Sequence, residues 1–318
     1  MVTREISGVT RIARGYTPAE RWVVHFSDGA SAFAKVGASP LTAGFLRDEA
    51  RVYRQLSADF MPQLLGFEDD PERPLLLLED LSAARWPPPW EPGDLERLSA
   101  TLERVAASQP MPDQLPALTD DFPRSGYGWL DVAHAPEPFL ALGLCSKQWL
   151  VRALPRLLEA QAAAVLEGDA LVHGDLRSDN LCLFPERVVL VDWNGARRGN
   201  IRFNLAFLAP SVRLEGGPPP EELAGEDPPF AALVSGYFAG RAGLPVIPDA
   251  PKVRWIQLRQ LRIALPWAVR ALGLDTLDLP WARTAIAGLD AERARGSIDE
   301  VTWRAQVDEV ESDASASI

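Results

Sequence analysis

Apolar and polar residues alternate through Trp22, Val24 and Phe26, with Val23 and His25 between them, and this two-residue period predicts a strand. Asp28-Gly29 is a turn dipeptide, so Ala30 to Val36 is expected to return as the next strand, with an earlier one at Val9–Ile12. Phe45, Glu49, Val52 and Leu56 then recur at helical spacing, which predicts a helix over Gly44 to Ser57. Leu64 to Phe67 and Leu75 to Leu78 read as two more strands around an Asp69-Asp70-Pro71 turn. Beyond Asp94 the period becomes mainly helical: Leu95 to Ala107, Trp149 to Leu166, Ala231 to Ala242 and Val253 to Leu272, with Pro266 expected to kink the last. One β interruption lies within Leu171 to Trp193. The pattern predicts an α+β chain: a small antiparallel β lobe with one helix over 1–80, a Pro-rich hinge over 81–93 that holds Pro87-Pro88-Pro89, a larger helical lobe over 94–306 and a frayed acidic tail over 307–318.

Composition narrows the classes. A chain of 318 residues is long enough for two lobes. Hydrophobic residues at 47% and charged residues at 24% are ordinary for a globular protein and exclude a disordered or fibrous one. The longest apolar runs, such as Leu75 to Leu78, are too short to cross a bilayer, and Met1 to Arg14 mixes charge and polarity, so a cytoplasmic protein without a membrane partner is expected. A net charge of −12 argues against a nucleic-acid partner, which needs a basic footprint. Cys145 and Cys182 are too few for a disulfide framework and read as small buried residues. A monomer or weak homodimer is expected.

The chemistry concentrates in one stretch, from Leu171 to Trp193. Leu181 to Phe184 and Val188 to Val191 are apolar runs flanking Pro185-Glu186-Arg187, a hairpin with a three-residue loop. A turn centred on residue 186 sets Asn180 opposite Asp192. An amide oxygen and a carboxylate are hard donors that suit Mg²⁺ shared with phosphates. Asp175 precedes Asn180 by five residues, where a carboxylate can take a proton from a substrate hydroxyl. His173-Gly174 would brace that loop.

His173-Gly174-Asp175, four residues, Asn180, then Val191-Asp192-Trp193 resembles the catalytic and metal loops of the aminoglycoside phosphotransferase family. That family has the protein-kinase-like fold and includes choline, homoserine and fructosamine kinases. The resemblance implies ATP or GTP as co-substrate, Mg²⁺ as cofactor, Asp175 as base and Asn180 and Asp192 as metal ligands. It also implies that Lys35, paired with Glu49, grips the nucleotide phosphates. Glu49 lies inside the apolar stripe of its helix, where an inward carboxylate needs such a partner. The backbone of Glu79 and Leu81 is expected at the nucleobase, and Gly15 and Thr17 near the phosphates, although their loop lacks the full protein-kinase glycine pattern. Asn204 stands where the family carries a loop-bracing Asp. The acceptor is expected to be a small hydroxylated molecule, such as an aminated sugar or amino alcohol. Arg177, Trp193 and Glu215 are its candidate contacts, read equally as ion-paired, core and loop residues. Asn204 keeps a second reading open, a degenerate nucleotide- or ligand-binding protein.

Overall fold

The computed structural model describes residues 4–13, 19–108, 115–122, 127–248 and 250–316. Strands β1 (Ile6–Arg11), β2 (Glu20–Phe26), β3 (Ser31–Val36), β4 (Leu64–Glu68) and β5 (Leu75–Glu79) form one antiparallel sheet in the order β1-β2-β3-β5-β4. The two-residue period does what it should: Ala32, Ala34, Leu76 and Leu78 are buried. Between β3 and β4 lies helix α1 (Pro40–Gln55). It begins four residues before the expected Gly44, because Ser39 and Thr42 cap each other and Pro40 is preset for the first turn.

Beyond the sheet the chain is mainly helical, as expected. The helices are α2 (Asp94–Ala106), the short α3 (Leu118–Asp121), α4 (Trp129–His134) and α5 (Glu137–Leu140), then α6 (Lys147–Ala162) and α7 (Arg202–Leu214). They continue with α8 (Pro220–Ala224), α9 (Pro228–Ala242), α10 (Val253–Ala271), α11 (Pro280–Ala294) and α12 (Glu300–Ala316). Two small antiparallel pairs interrupt them: β6 (Ala170–Val172) with β9 (Arg197–Gly199), and β7 (Leu181–Leu183) with β8 (Val188–Leu190). The fold class is therefore α+β.

The chain divides into two compact units that do not follow the sequence in one cut. The first comprises Met1–Phe122, Val165–Pro218 and Ile247–Val253, so it joins the N-terminal sheet to both small strand pairs and α7. The second comprises Pro123–Ala164, Pro219–Val246 and Arg254–Ile318. Inside it α9 is buried nearly all round. A Cβ on its Gly236 would lie 2.2 Å from Gln161 Oε1 and 2.7 Å from Trp129 Cδ1, so the glycine is what admits α4 and α6 so closely. Gln161 ties that junction, accepting from Trp129 N at 2.9 Å and donating to Tyr127 O at 2.8 Å.

The last helix, α12, runs from Glu300 to Ala316. Asp299 caps it, accepting from Thr302 N at 2.7 Å, and Trp303 Nε1 donates to Asp290 of α11 at 2.9 Å. Those two contacts are invisible to a composition argument.

Candidate active site

Lys35 sits on β3 opposite Arg21 and Leu76 and is 5% exposed. Its Nζ donates to both carboxylate oxygens of Glu49, each at 2.9 Å, and also to Asp192 Oδ1. Glu49 is 2% exposed on α1, as its place in the apolar stripe requires. Burial works against the Lys35 ammonium, but Asp192 and Glu49 outweigh it and raise its pKa above 10.5. Asp192 is held below the ordinary carboxylate range, because Lys35 more than offsets its desolvation. Burial and the Glu49 charge push the neighbouring Tyr53 phenol well above its usual value.

Asp192 has φ 65° and ψ 54°, a left-handed conformation that turns the chain out of β8. Gly174 has φ 81°, and a Cβ there would lie 1.9 Å from Gly195 O. Only glycine fits, and the two loops touch backbone to backbone. His173 is fully buried. Its Nε2 lies 2.8 Å from Val191 O, and its Nδ1 accepts from Asp175 N at 3.4 Å. Burial lowers its pKa to about 4, so the ring is neutral near pH 7 and spans the two loops as a fixed strut. Asn204 Oδ1 accepts from His173 N at 3.1 Å. Its Nδ2 is buried without a hydrogen-bond partner.

The side chain of Asp175 is half exposed, at 49%. Its pKa is raised: desolvation by the loop is the largest cause, Arg177 opposes it, and Asp192 and Asp179 add repulsion. Arg177 Nη1 donates to Asp175 at 2.9 and 3.1 Å, while its Nε and Nη2 hold Asp179 at 2.9 and 3.1 Å. Asn180 Nδ2 donates to Asp175 O at 2.8 Å, which leaves Oδ1 as its oxygen donor.

The hairpin register corrects one expectation. Leu181 pairs with Leu190 and Leu183 with Val188, and Phe184 N donates to Arg187 O at 2.9 Å. The loop is the two residues Pro185-Glu186, not three, because Pro185 presets the first turn position. Asn180 is therefore opposite Val191, whose N donates to its carbonyl at 2.9 Å, and Asp192 lies one position further out.

Two of the three acceptor candidates are corrected. Trp193 is 0% exposed, donates from Nε1 to Leu190 O at 2.8 Å and packs against Phe60 and His173, so it is a core residue with no face for a ligand. Glu215 accepts from Trp90 Nε1 at 2.9 Å and from Ser178 Oγ, so one oxygen braces the segment between Asp175 and Asn180 and the other holds Trp90. Arg177 is committed to the loop's own acids. Glu79 N donates to Gln63 O at 2.9 Å and its carboxylate binds Arg187. The Leu81 side chain is buried with Cys182 and Val189, and its carbonyl accepts from Ala84 N at 3.0 Å. Gly15 and Thr17 lie outside the described residues. Sequence reasoning missed Gly195, Ser178 and Trp90, for which spacing gives no signal because each acts through a partner distant in the chain, and it missed Tyr53, one turn beyond Glu49 on α1.

The donor set can be tested against a metal. Asn180 Oδ1 and the Asp192 carboxylate are hard oxygens suited to Mg²⁺ that keeps waters and shares phosphate ligands. Among the described residues no group of three or more His, Cys, Asp or Glu could cage a metal alone, so the pair fits a cation completed by phosphate oxygens.

The family model described as the phosphotransferase enzyme family (APH) matches residues 8–244. The chain belongs to that family. As a family member it is a phosphotransferase with a nucleotide donor, a divalent metal and a small-molecule acceptor. The match runs from within β1 to just past α9 and includes Lys35, Asp175 and Asp192. No curated protein matches this phosphotransferase in sequence. Solved structures similar to it include a choline/ethanolamine kinase family protein from Mesorhizobium loti, at 16% identity and TM-score 0.45 over 98% of this chain and 88% of that one. A macrolide 2'-phosphotransferase from Brachybacterium faecium is similar at 17% identity and TM-score 0.48, over 85% and 94%. A choline kinase from Cryptosporidium parvum Iowa II is similar at 9% identity and TM-score 0.49, over 84% and 88%.

Proposed function

We propose that this phosphotransferase moves the γ-phosphoryl of ATP or GTP to a hydroxyl of a small molecule, with Asp175 as the base. The observation that carries the reading is the pairing of a half-exposed Asp175 with a buried Lys35 that links Glu49 to Asp192. Lys35, positioned by Glu49, would hold the α- and β-phosphates, exchanging its contact with Asp192 for phosphate oxygens. Asn180, through Oδ1, and Asp192 would hold Mg²⁺, which when bound neutralises phosphate charge. Asp175 would accept the hydroxyl proton, and the upward shift that desolvation gives its carboxylate strengthens it as a base. Arg177 and Asn180 hold that carboxylate in one orientation from two sides. Catalysis is then mostly positioning and charge stabilisation.

Asn204 supports an active enzyme over a degenerate one, because its carbonyl oxygen makes the His173 contact that an Asp would make. The Glu79 carbonyl and Leu81 backbone would meet the base, and Gly15 and Thr17 the phosphates. The acceptor is a hydroxylated amine or sugar. The protein works as a monomer or weak homodimer, without nucleic acid, in the cytoplasm, where two buried free cysteines stay reduced. Among the described residues no helix is long and apolar enough to cross a membrane.

The test is thermal unfolding with ATP and with GTP, each with and without Mg²⁺. A metal-dependent rise in melting temperature is expected, absent in Asp192→Ala. Asp175→Asn is expected to keep the rise and lose phosphoryl transfer to a panel of aminated sugars and amino alcohols. Transfer by Asp175→Asn at the parent rate would remove Asp175 as base.

A further inference from the structure

We propose that the second unit carries a ligand site of its own, a pocket for a small organic acid whose carboxylate is held by Arg241 and Arg254. A cavity of about 420 Å³ opens among α4, α5, α9 and the start of α10, and all its lining residues belong to this unit. That volume is in the range of small-molecule sites. Val132, Phe139 and Ala239 give it an apolar lining. None of the residues proposed for phosphoryl transfer lines it.

Two guanidinium groups line this space beside Asp131, and neither is ion-paired with it. Arg241 lies over the rings of Tyr127 and Tyr237, at 4.5 and 4.3 Å from their centroids, and donates only to Tyr237 O at 3.3 Å. Arg254 donates to Pro245 O at 3.2 Å and to Gln257 Oε1 at 2.9 Å. Among the described residues neither is ion-paired, although both are half-buried. Each guanidinium has five N–H donors, so most are unspent. Partly dehydrated cations without a counter-charge are unfavourable, and two on one cavity also repel each other. Asp131 does not relieve them. Its Oδ2 is turned to the chain, accepting from Gly128 N at 3.0 Å and closed in by Gly240. A single carboxylate would answer both cations, and stacking on two tyrosines fixes the Arg241 plane for a forked contact. The apolar lining would take the body of the acid.

The experiment is calorimetric titration of the full chain with benzoate, with its neutral isostere benzamide, and with inorganic phosphate. Saturable benzoate binding is expected, with benzamide weaker by about tenfold or more, the loss of one charge-assisted contact. Arg241→Gln and Arg254→Gln should each weaken benzoate by about as much while melting like the parent. Absence of saturable benzoate binding overturns the proposal, and so does benzamide binding equal to benzoate. The second comparison uses the native protein and holds even if a variant fails to fold. Phosphate binding tighter than benzoate would overturn the assignment of an organic acid. Benzoate affinity unchanged in both variants would overturn the assignment to these arginines.

Discussion

Lys35 and Glu49 show what a buried ion pair demands of its neighbourhood. Both are nearly dehydrated, so each depends on the other, and Lys35 also pairs with Asp192. Glu49→Gln removes one anion of the three-group cluster and is expected to destabilise the fold by about 3 kcal/mol, the cost of breaking a buried pair. Lys35→Met with Glu49→Leu should cost less than the two single changes together, since neither charge is then left alone. Urea unfolding of Glu49→Gln, of the two single changes and of their double measures both statements. Asn204 is a simpler case. Asn204→Leu takes the acceptor from the buried His173 N–H and should cost about 1–3 kcal/mol. It should also slow transfer, because the strut between the two loops is then held from one side. Asp80 lies at the end of β5, where burial raises its pKa but Ser31 Oγ, Ser82 Oγ and Ser82 N lower it further, so the net shift is downward. A depressed folded pKa means stability that is complete above the unfolded value of 3.8 and is lost as pH falls through the folded one. Asp80→Asn should therefore be less stable than the parent at neutral pH, and the two should converge as pH falls through the depressed folded value, measured as urea midpoints.

At the scale of elements, the decisive contacts lie between loops. Gly174 and Gly195 meet so closely that Gly174→Ala would drive a methyl into a carbonyl at a left-handed backbone position. The variant should lose at least about 2 kcal/mol and its transfer activity together, read by unfolding and by kinetics. The sequence carried half of this. A glycine between a histidine and a candidate base signals an unusual backbone angle, but its partner Gly195, 21 residues on, has no local mark. The hairpin shows the same limit. Its apolar runs were legible, yet its register turned on whether Arg187 belongs to the loop or to the strand, and that depends on one backbone bond from Phe184. Lys35 was legible because α1 buries Glu49 among leucine and valine, and a buried carboxylate predicts a cation. Trp193 was misread as a ligand wall because an aromatic beside a metal-site acid looks alike in sequence whether it faces in or out. Its indole N–H found Leu190 O, and the ring went to the core.

At the scale of the whole molecule, the residues proposed for the chemistry share one unit. Lys35, Glu49, Asp175, Asn180, Asp192 and Asn204 all lie in the first, although they span most of its discontinuous sequence. The sheet alone cannot hold a nucleotide on this reading, since Asp192 and Asn180 come from the β7–β8 pair far along the chain. A nucleotide that engages these groups binds only where strand β3, helix α1 and that pair are folded together. By mass action it stabilises the cooperative unit that contains them. Hydrogen exchange with Mg²⁺ and nucleotide present should thus slow across β3, α1 and the segment 171–195, all within the first unit. Exchange at α6, which lies wholly in the second, should change less. Benzoate should give the opposite map, slowing α4 and α9 and leaving β3 unchanged, because Arg241 and Arg254 belong to the second unit. The two maps together separate the sites. Protection of α1 by nucleotide that survives Asp192→Ala would show that nucleotide binds without the hairpin, and the linkage argued here between β3 and β8 would fall.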